Sequence, residues 1–178
     1  MEKIVTVPEG IEVDINNMRI TVKGEKGTLE KEFIHPMFAG KLKIVKEGNE
    51  VKVSSDSEKR KIKAMVGTIA AHLKNMIRGV TEGYAYKLKI VYMHFPFTVK
   101  VDGDIVTVGN FLGEKSMRKA KVVGDSKVEI KGDEIIVTGI NREDVGQTCG
   151  NLERSTKVSS RDRRVFQDGI FLVSKGSE

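Results

Sequence analysis

Two basic clusters hold the residues of this chain best suited to recognising a ligand. Lys115, Arg118, Lys119 and Lys121 lie in a predicted loop between two hairpins. Arg154, Lys157, Arg161, Arg163 and Arg164 form a run broken by Asp162, followed by Phe166 and, further on, Lys175. Four or five cations on a loop or tail can neutralise backbone phosphates and release condensed counterions, which is polyanion chemistry rather than catalysis. Phe166 can stack on an unpaired base or, in the plainer reading, anchor the tail to the body. Ser155-Thr156 and Ser159-Ser160 predict a flexible segment under either reading. A third run, Lys59, Arg60, Lys61 and Lys63, reads as the exposed face of a helix.

Catalytic and metal chemistry find less support. His35, His72 and His94 are far apart and lack the HxxH or HExxH spacing that brings two imidazoles onto one ion. Gly24-Glu25-Lys26-Gly27 and Gly109-Asn110-Phe111-Leu112-Gly113 lack the Lys-Ser/Thr ending and the strand-turn-helix setting of nucleotide-binding loops, so both read as turns. Asp102 and Asp104 flank a hairpin glycine and are expected to face solvent rather than work as an acid-base pair. Cys149 is the single cysteine, too few for an internal disulfide or a zinc site, and a reducing compartment is expected. With no histidine at an activating spacing, Cys149 reads as a small core residue. No set of nucleophile, base and orienting group stands out. The reading is therefore no enzyme, no cofactor, no metal and no small-molecule substrate.

The elements that must position these residues form a repeat. Val13, Ile15, Ile20 and Val22 flank Asn16-Asn17, and 86 positions later Val99, Val101, Val106 and Val108 flank Asp102-Gly103. Such turn residues tolerate positive φ, as two-residue hairpin loops require. Gly48-Asn49-Glu50 leads into Val51 and Val53, and 84 positions later Gly132-Asp133-Glu134 leads into Ile135 and Val137. Each round closes with a helix. Ser55 and Glu58 have capping-box spacing, with Asp56 and Ser57 as competing caps, and Ile62, Met65, Val66, Ile69, Leu73, Met76 and Ile77 draw one apolar stripe towards an end at Gly79. The second helix opens at Asn141, with Glu143 and Asp144 at its positive end and Val145, Cys149 and Leu152 on its buried face. Between the rounds, Tyr84, Tyr86, Leu88, Ile90 and Tyr92 alternate with Ala85, Lys87, Lys89 and Val91, the period of a long strand. The expected fold is α+β: two duplicated units, residues 1–82 and 83–178, each a small antiparallel or mixed sheet covered by one helix.

Composition agrees. Of 178 residues, 39% are hydrophobic, enough for compact cores, and 31 Lys and Arg against 25 Asp and Glu leave a net charge of +6. No apolar run approaches the roughly 18–20 residues that span a bilayer, so no membrane partner is expected.

Two stretches then resemble a known family. Asn75-Met76-Ile77-Arg78-Gly79-Val80-Thr81-Glu82-Gly83-Tyr84 looks like the linker of the large-subunit ribosomal protein six family, and Arg163-Arg164-Val165-Phe166-Gln167-Asp168-Gly169-Ile170-Phe171 resembles the tail of its archaeal and eukaryotic branch. The bacterial branch carries a Tyr-Lys-Gly-Lys-Gly tail that is missing here. The resemblance implies a ribosome-bound, cytoplasmic, structural protein. Its partner would be large-subunit ribosomal RNA near the sarcin-ricin loop. Neighbouring large-subunit proteins at the stalk base, where translation factors dock, would adjoin it. It also implies that the loop around Lys115 to Lys121 and the tail from Arg154 to Lys175 face the RNA, with Gly169 a backbone turn before a short final strand. An RNA-binding regulator outside the ribosome and an RNA-processing enzyme are the alternatives.

Overall fold

The computed structural model describes residues 1–16, 18–33 and 40–176. The chain divides into two compact units, Met1–Glu82 and Gly83–Glu178.

Among the described residues of the first unit, six strands make two antiparallel sheets. Strand β1 (Glu2–Thr6) pairs with β6 (Glu50–Ser54), which pairs with β5 (Lys43–Glu47); β2 (Glu12–Asn16), β3 (Arg19–Gly24) and β4 (Gly27–Glu32) form the second sheet in that order. Helix α1 (Arg60–Thr81) packs on strands of both sheets. Its stripe works as the spacing predicts: Ile62, Val66, Ile69, Leu73, Met76 and Ile77 are buried against Val5, Val13, Ile20, Val22, Val51 and Val53. Each such side chain removed from water contributes about 1.5–3 kcal/mol.

The ends of α1 differ from expectation. The cap is Lys59, with no side-chain hydrogen bond, so the Ser55–Glu58 capping box does not form. The Ser55 hydroxyl instead donates to the Lys41 carbonyl (2.6 Å) and accepts from the Ser57 amide (3.3 Å). At the other end the helix runs through buried Gly79 to Thr81 and stops where Gly83 turns left-handed, φ 78°. There the β3–β4 turn meets the helix: the Lys26 amide donates to the Val80 carbonyl (3.0 Å), and a Cβ on Gly24 would stand 2.7 Å from Val80 Cγ2. Gly24 is thus needed for close approach, within the turn that the sequence suggests.

The second unit repeats the plan and adds to it. Strands β8 (Thr98–Asp102), β9 (Ile105–Gly109) and β10 (Arg118–Lys121) form one antiparallel sheet with β9 in the middle. The other sheet has the order β11 (Lys127–Lys131), β12 (Glu134–Gly139), β7 (Tyr84–Val91), β13 (Gly169–Gly176). Helix α2 (Arg142–Ser155) packs against strands of both sheets. Asn141 caps it, its side-chain oxygen accepting from the Glu143 amide (3.0 Å), and Val145, Thr148, Cys149 and Leu152 are its buried face. The alternation of β7 is as read, with Tyr84, Tyr86, Leu88 and Ile90 buried, but the strand ends at Val91 and Tyr92 is exposed. In the β8–β9 hairpin Asp102 pairs with Ile105, so the two turn residues are Gly103 and Asp104, one position later than the pattern suggests. The first-unit counterpart includes Asn17, which lies outside the described residues. Among the described residues the α+β class, the duplication and one covering helix in each unit stand, but in each unit the strands part into two antiparallel sheets where one was expected.

Among the described residues strand β13 has no counterpart in the first unit, and the segment leading to it is held at several points. Thr156 is buried and its hydroxyl oxygen accepts from the Ile170 amide (2.9 Å); Val158 is also buried. Residues 163–165 form a turn, the Phe166 amide donating to the Asp162 carbonyl (2.9 Å). The Asp168 side chain, fully buried, then accepts from the amides of Met93 (2.8 Å) and His94 (3.2 Å) and from His94 Nδ1–H (2.9 Å). Burial pushes the Asp168 carboxyl up, but these donors outweigh it and hold the group below its ordinary value. The flexible tail expected from the serine pairs is therefore a docked segment ending in an edge strand.

Two outcomes test this packing. Ile69→Asp places an unpaired charge at a fully buried position and should cost about 4 kcal/mol or more, unfolding the first unit in a denaturant titration; a melt like wild type would mean the helix face is misassigned. Folding lowers the Asp168 pKa from about 3.9, so its contribution is complete above roughly pH 5 and disappears as pH falls through the folded-state value. Asp168→Asn should flatten part of the acid limb of the stability curve and remove about 1–3 kcal/mol near neutral pH; an acid limb identical to wild type would contradict the lock.

Candidate nucleic-acid interface

The first basic cluster is not a loop for most of its length. Arg118 to Lys121 form β10, paired antiparallel with β9, and only Lys115 remains in the connecting turn. Strand period sorts the side chains: Ala120 is buried, Lys119 and Lys121 are exposed, and Arg118 is half-buried. Ahead of β10, a short 3-10 turn (Phe111–Gly113) drives the Phe111 ring fully into the core, with Asn110 and Leu112 both left-handed. The turn reading of Gly109–Gly113 holds, with Phe111 as its anchor.

Arg118 is a clamp. Its Nε donates to Glu114 Oε2 (2.8 Å) and its Nη2 to Glu114 Oε1 (2.5 Å). Its Nη1 donates to the carbonyls of Ser155 (3.0 Å) and Lys157 (3.1 Å), and the guanidinium lies 4.5 Å from the Phe111 ring centre. An arginine carries five donor hydrogens in a rigid fork, and here the fork is committed to the protein. The hydrogen bonds from Arg118 hold the Glu114 carboxyl below its ordinary range, and Arg161 adds a smaller pull. Arg118, a candidate phosphate contact by sequence, instead joins the end of α2 to the start of β10. The two basic clusters are therefore neighbours in space.

The second cluster divides in the same way. Arg164 is paired with Asp162, Nη2 to Oδ2 at 3.0 Å and Nε to Oδ1 at 3.1 Å. Arg161 lies over the Phe166 ring, 4.7 Å from its centre, and His94 stacks on the same ring at 4.4 Å and 20°. Phe166 therefore takes the anchoring role, and the structure occupies it with His94 and Arg161 rather than leaving it open for a base. Lys175 is exposed on β13. By contrast Lys115, Lys119, Lys121, Arg154, Lys157 and Arg163 are exposed and have no side-chain partner among the described residues. These six side chains present uncompensated charge on the second unit.

Sequence reasoning missed Glu114, His94 and Asp168. The spacing of Glu114 and Arg118, four apart, was one available signal. For His94 and Asp168, 74 positions apart, no local pattern exists.

Other candidates resolve simply. Lys59, Arg60, Lys61 and Lys63 are exposed at the start of α1. Among the described residues no group of three or more His, Cys, Asp or Glu could hold a metal ion; His35 lies outside them. Burial pushes the Cys149 thiol up to about 12, with Glu153 adding to the rise, so it is a protonated core group. No helix among the described residues is long and apolar enough to cross a membrane.

Comparison of the sequence with known proteins points to one family. The model for "Ribosomal protein L6" matches twice, over residues 7–83 and 95–169, once per unit. The chain is similar to the large ribosomal subunit protein uL6 of Methanobrevibacter smithii, 52% identical over 96% of this chain and 94% of that protein. It is 49% identical to that of Methanosarcina mazei, over 97% and 96% of the two chains, and 49% identical to that of Staphylothermus marinus, over 98% and 94%. With a duplicated fold, a match in each unit and relatives near half identity along nearly its whole length, the chain belongs to the ribosomal protein L6 family, in its archaeal and eukaryotic type.

Proposed function

We propose that this protein is a structural, non-enzymatic constituent of the large ribosomal subunit, ribosome-bound in the cytoplasm, that grips large-subunit ribosomal RNA with its second unit. The observation that carries the reading is the set of six unpaired cations, Lys115, Lys119, Lys121, Arg154, Lys157 and Arg163, on elements that the Arg118 clamp draws together. Unpaired surface cations lose little on meeting phosphates and gain the release of counterions. Lys175 and Arg161 sit on the same unit as secondary contacts, whereas Arg118, Arg164 and Phe166 are positioning groups.

The finer placement follows from the resemblance of the tail and linker to the family. The RNA partner is the region near the sarcin-ricin loop, and the protein neighbours are those of the stalk base, close to where translation factors dock. Chemical footprinting of the protein on large-subunit RNA tests this placement: protection should fall at that loop, and protection confined to other regions would overturn it. An RNA-binding regulator outside the ribosome would carry the same cations. In lysate, however, the proposed constituent should sediment with large subunits through high-salt washes, and a regulator should not.

Two sets of variants separate gripping from positioning. Changing Lys115, Lys119 and Lys121 together to Ala should leave stability within about 0.5 kcal/mol. It should also reduce the slope of log affinity against log salt by about 2–3, at roughly 0.7–0.9 per lost contact. Arg118→Ala should instead destabilise the second unit by about 1–3 kcal/mol, because two carbonyls and Glu114 lose a charged donor. A triple variant with an unchanged slope would remove β10 from the interface.

A further inference from the structure

A groove of about 980 Å³ opens between α2 and the docked segment that follows it, entirely within the second unit. Its walls include Val158, Ile170 and Phe171 on the apolar side and Arg154, Lys157 and Arg163 among the cations. Resting on the RNA-binding reading above, we propose that this groove receives one unpaired nucleotide of the bound RNA. The base would lie against the apolar wall and its flanking phosphates on Arg154, Lys157 and Arg163.

Charge selects the occupant. Four cations line the groove, and among the described residues only Arg164 is paired, with Asp162. The two lining carboxylates are engaged within the fold: Asp168 is buried under His94, and Glu153 accepts from the Leu172 amide (2.9 Å). A polyanion therefore meets attraction along the rim.

Shape then selects an unpaired nucleotide over a helix. An A-form duplex presents a wide, shallow minor groove that cannot enter a concave site, whereas a base from a loop or bulge is free to swing out. The volume lies near the top of the roughly 300–1,000 Å³ range of small-ligand sites, ample for a nucleotide with its two phosphates. The lining also suits a base, which has an apolar face and a polar edge. Phe171 is 43% exposed and offers a ring beside buried Ile170 and Val158. The Gln167 side-chain Nε2 donates to the Arg164 carbonyl (3.1 Å), while its Oε1 has no partner among the described residues and is left to accept from a base edge.

Gly150 makes the groove testable. It lines the groove from α2, and a Cβ built on it meets no atom within 4 Å, so a larger side chain there grows into open space and favours the helix. Gly150→Leu changes no charge. Binding of the full-length protein to protein-free large-subunit ribosomal RNA, measured across a salt series, should weaken by roughly tenfold or more with the salt slope unchanged and the melting temperature not lowered. Gln167→Trp fills the groove from the opposite wall, also without a change in charge, and should do the same; it decides the matter if Gly150→Leu is unstable. In parallel, dimethyl sulfate should find a nucleotide that wild type protects and the filled variants leave reactive. Fillers that bind like wild type would overturn the inference while leaving the RNA reading intact, as they would if the groove served a protein neighbour. Wild-type binding that ignores salt would bring down the RNA reading itself.

Discussion

A cation can serve the fold or be left free for a phosphate, and in the second unit some cations are committed to the fold while others have no partner among the described residues. Once the Arg118 fork has met Glu114 and two carbonyls, moving it onto a phosphate would strand a partly buried carboxylate and leave two acceptors without their charged donor. Lys119, its neighbour in the strand, faces solvent and gives up only water. The division lets one short stretch hold the second unit together and present charge at the same time. The same rule divides Arg164, paired with Asp162, from Arg163 beside it.

The duplicated framework supplies the rigidity this arrangement needs. In each unit one helix lies against strands of two antiparallel sheets, so the apolar faces are covered and polar groups are left to the periphery. The second unit departs from the first at β13. That strand adds to the edge of β7, and the chain reaching it is fixed by Thr156, Phe166 and Asp168 before pairing begins. What distinguishes the units is thus a docked extension, and most of the unpaired cations stand on it or on the elements it touches.

Much of the framework was legible in the sequence because it is periodic. The stripe from Ile62 to Ile77, the alternation from Tyr84 to Ile90 and the glycines at matching hairpins each state a local geometry, and all three hold. Where the reading slipped, contacts distant in sequence had overruled local preference. Ser55 and Glu58 have capping spacing, yet the Ser55 hydroxyl is taken by Lys41, fourteen residues away. Arg118 to Lys121 reads as a basic loop until β9 pairs with it. The serine-flanked tail reads as flexible because nothing nearby announces that Asp168 will be buried beneath His94. Of the candidate site, the cations were all visible as residue types, but which of them are neutralised depends on partners that no spacing rule supplies for most of them.

Amine labelling of the protein, free and bound to large-subunit ribosomal RNA, probes the central division most directly. Lys115, Lys119, Lys121 and Lys157 should lose reactivity on binding, while Lys59, Lys61 and Lys63 at the start of α1 stay as reactive as in the free protein. Protection of the α1 lysines, with the second-unit lysines unchanged, would contradict the account.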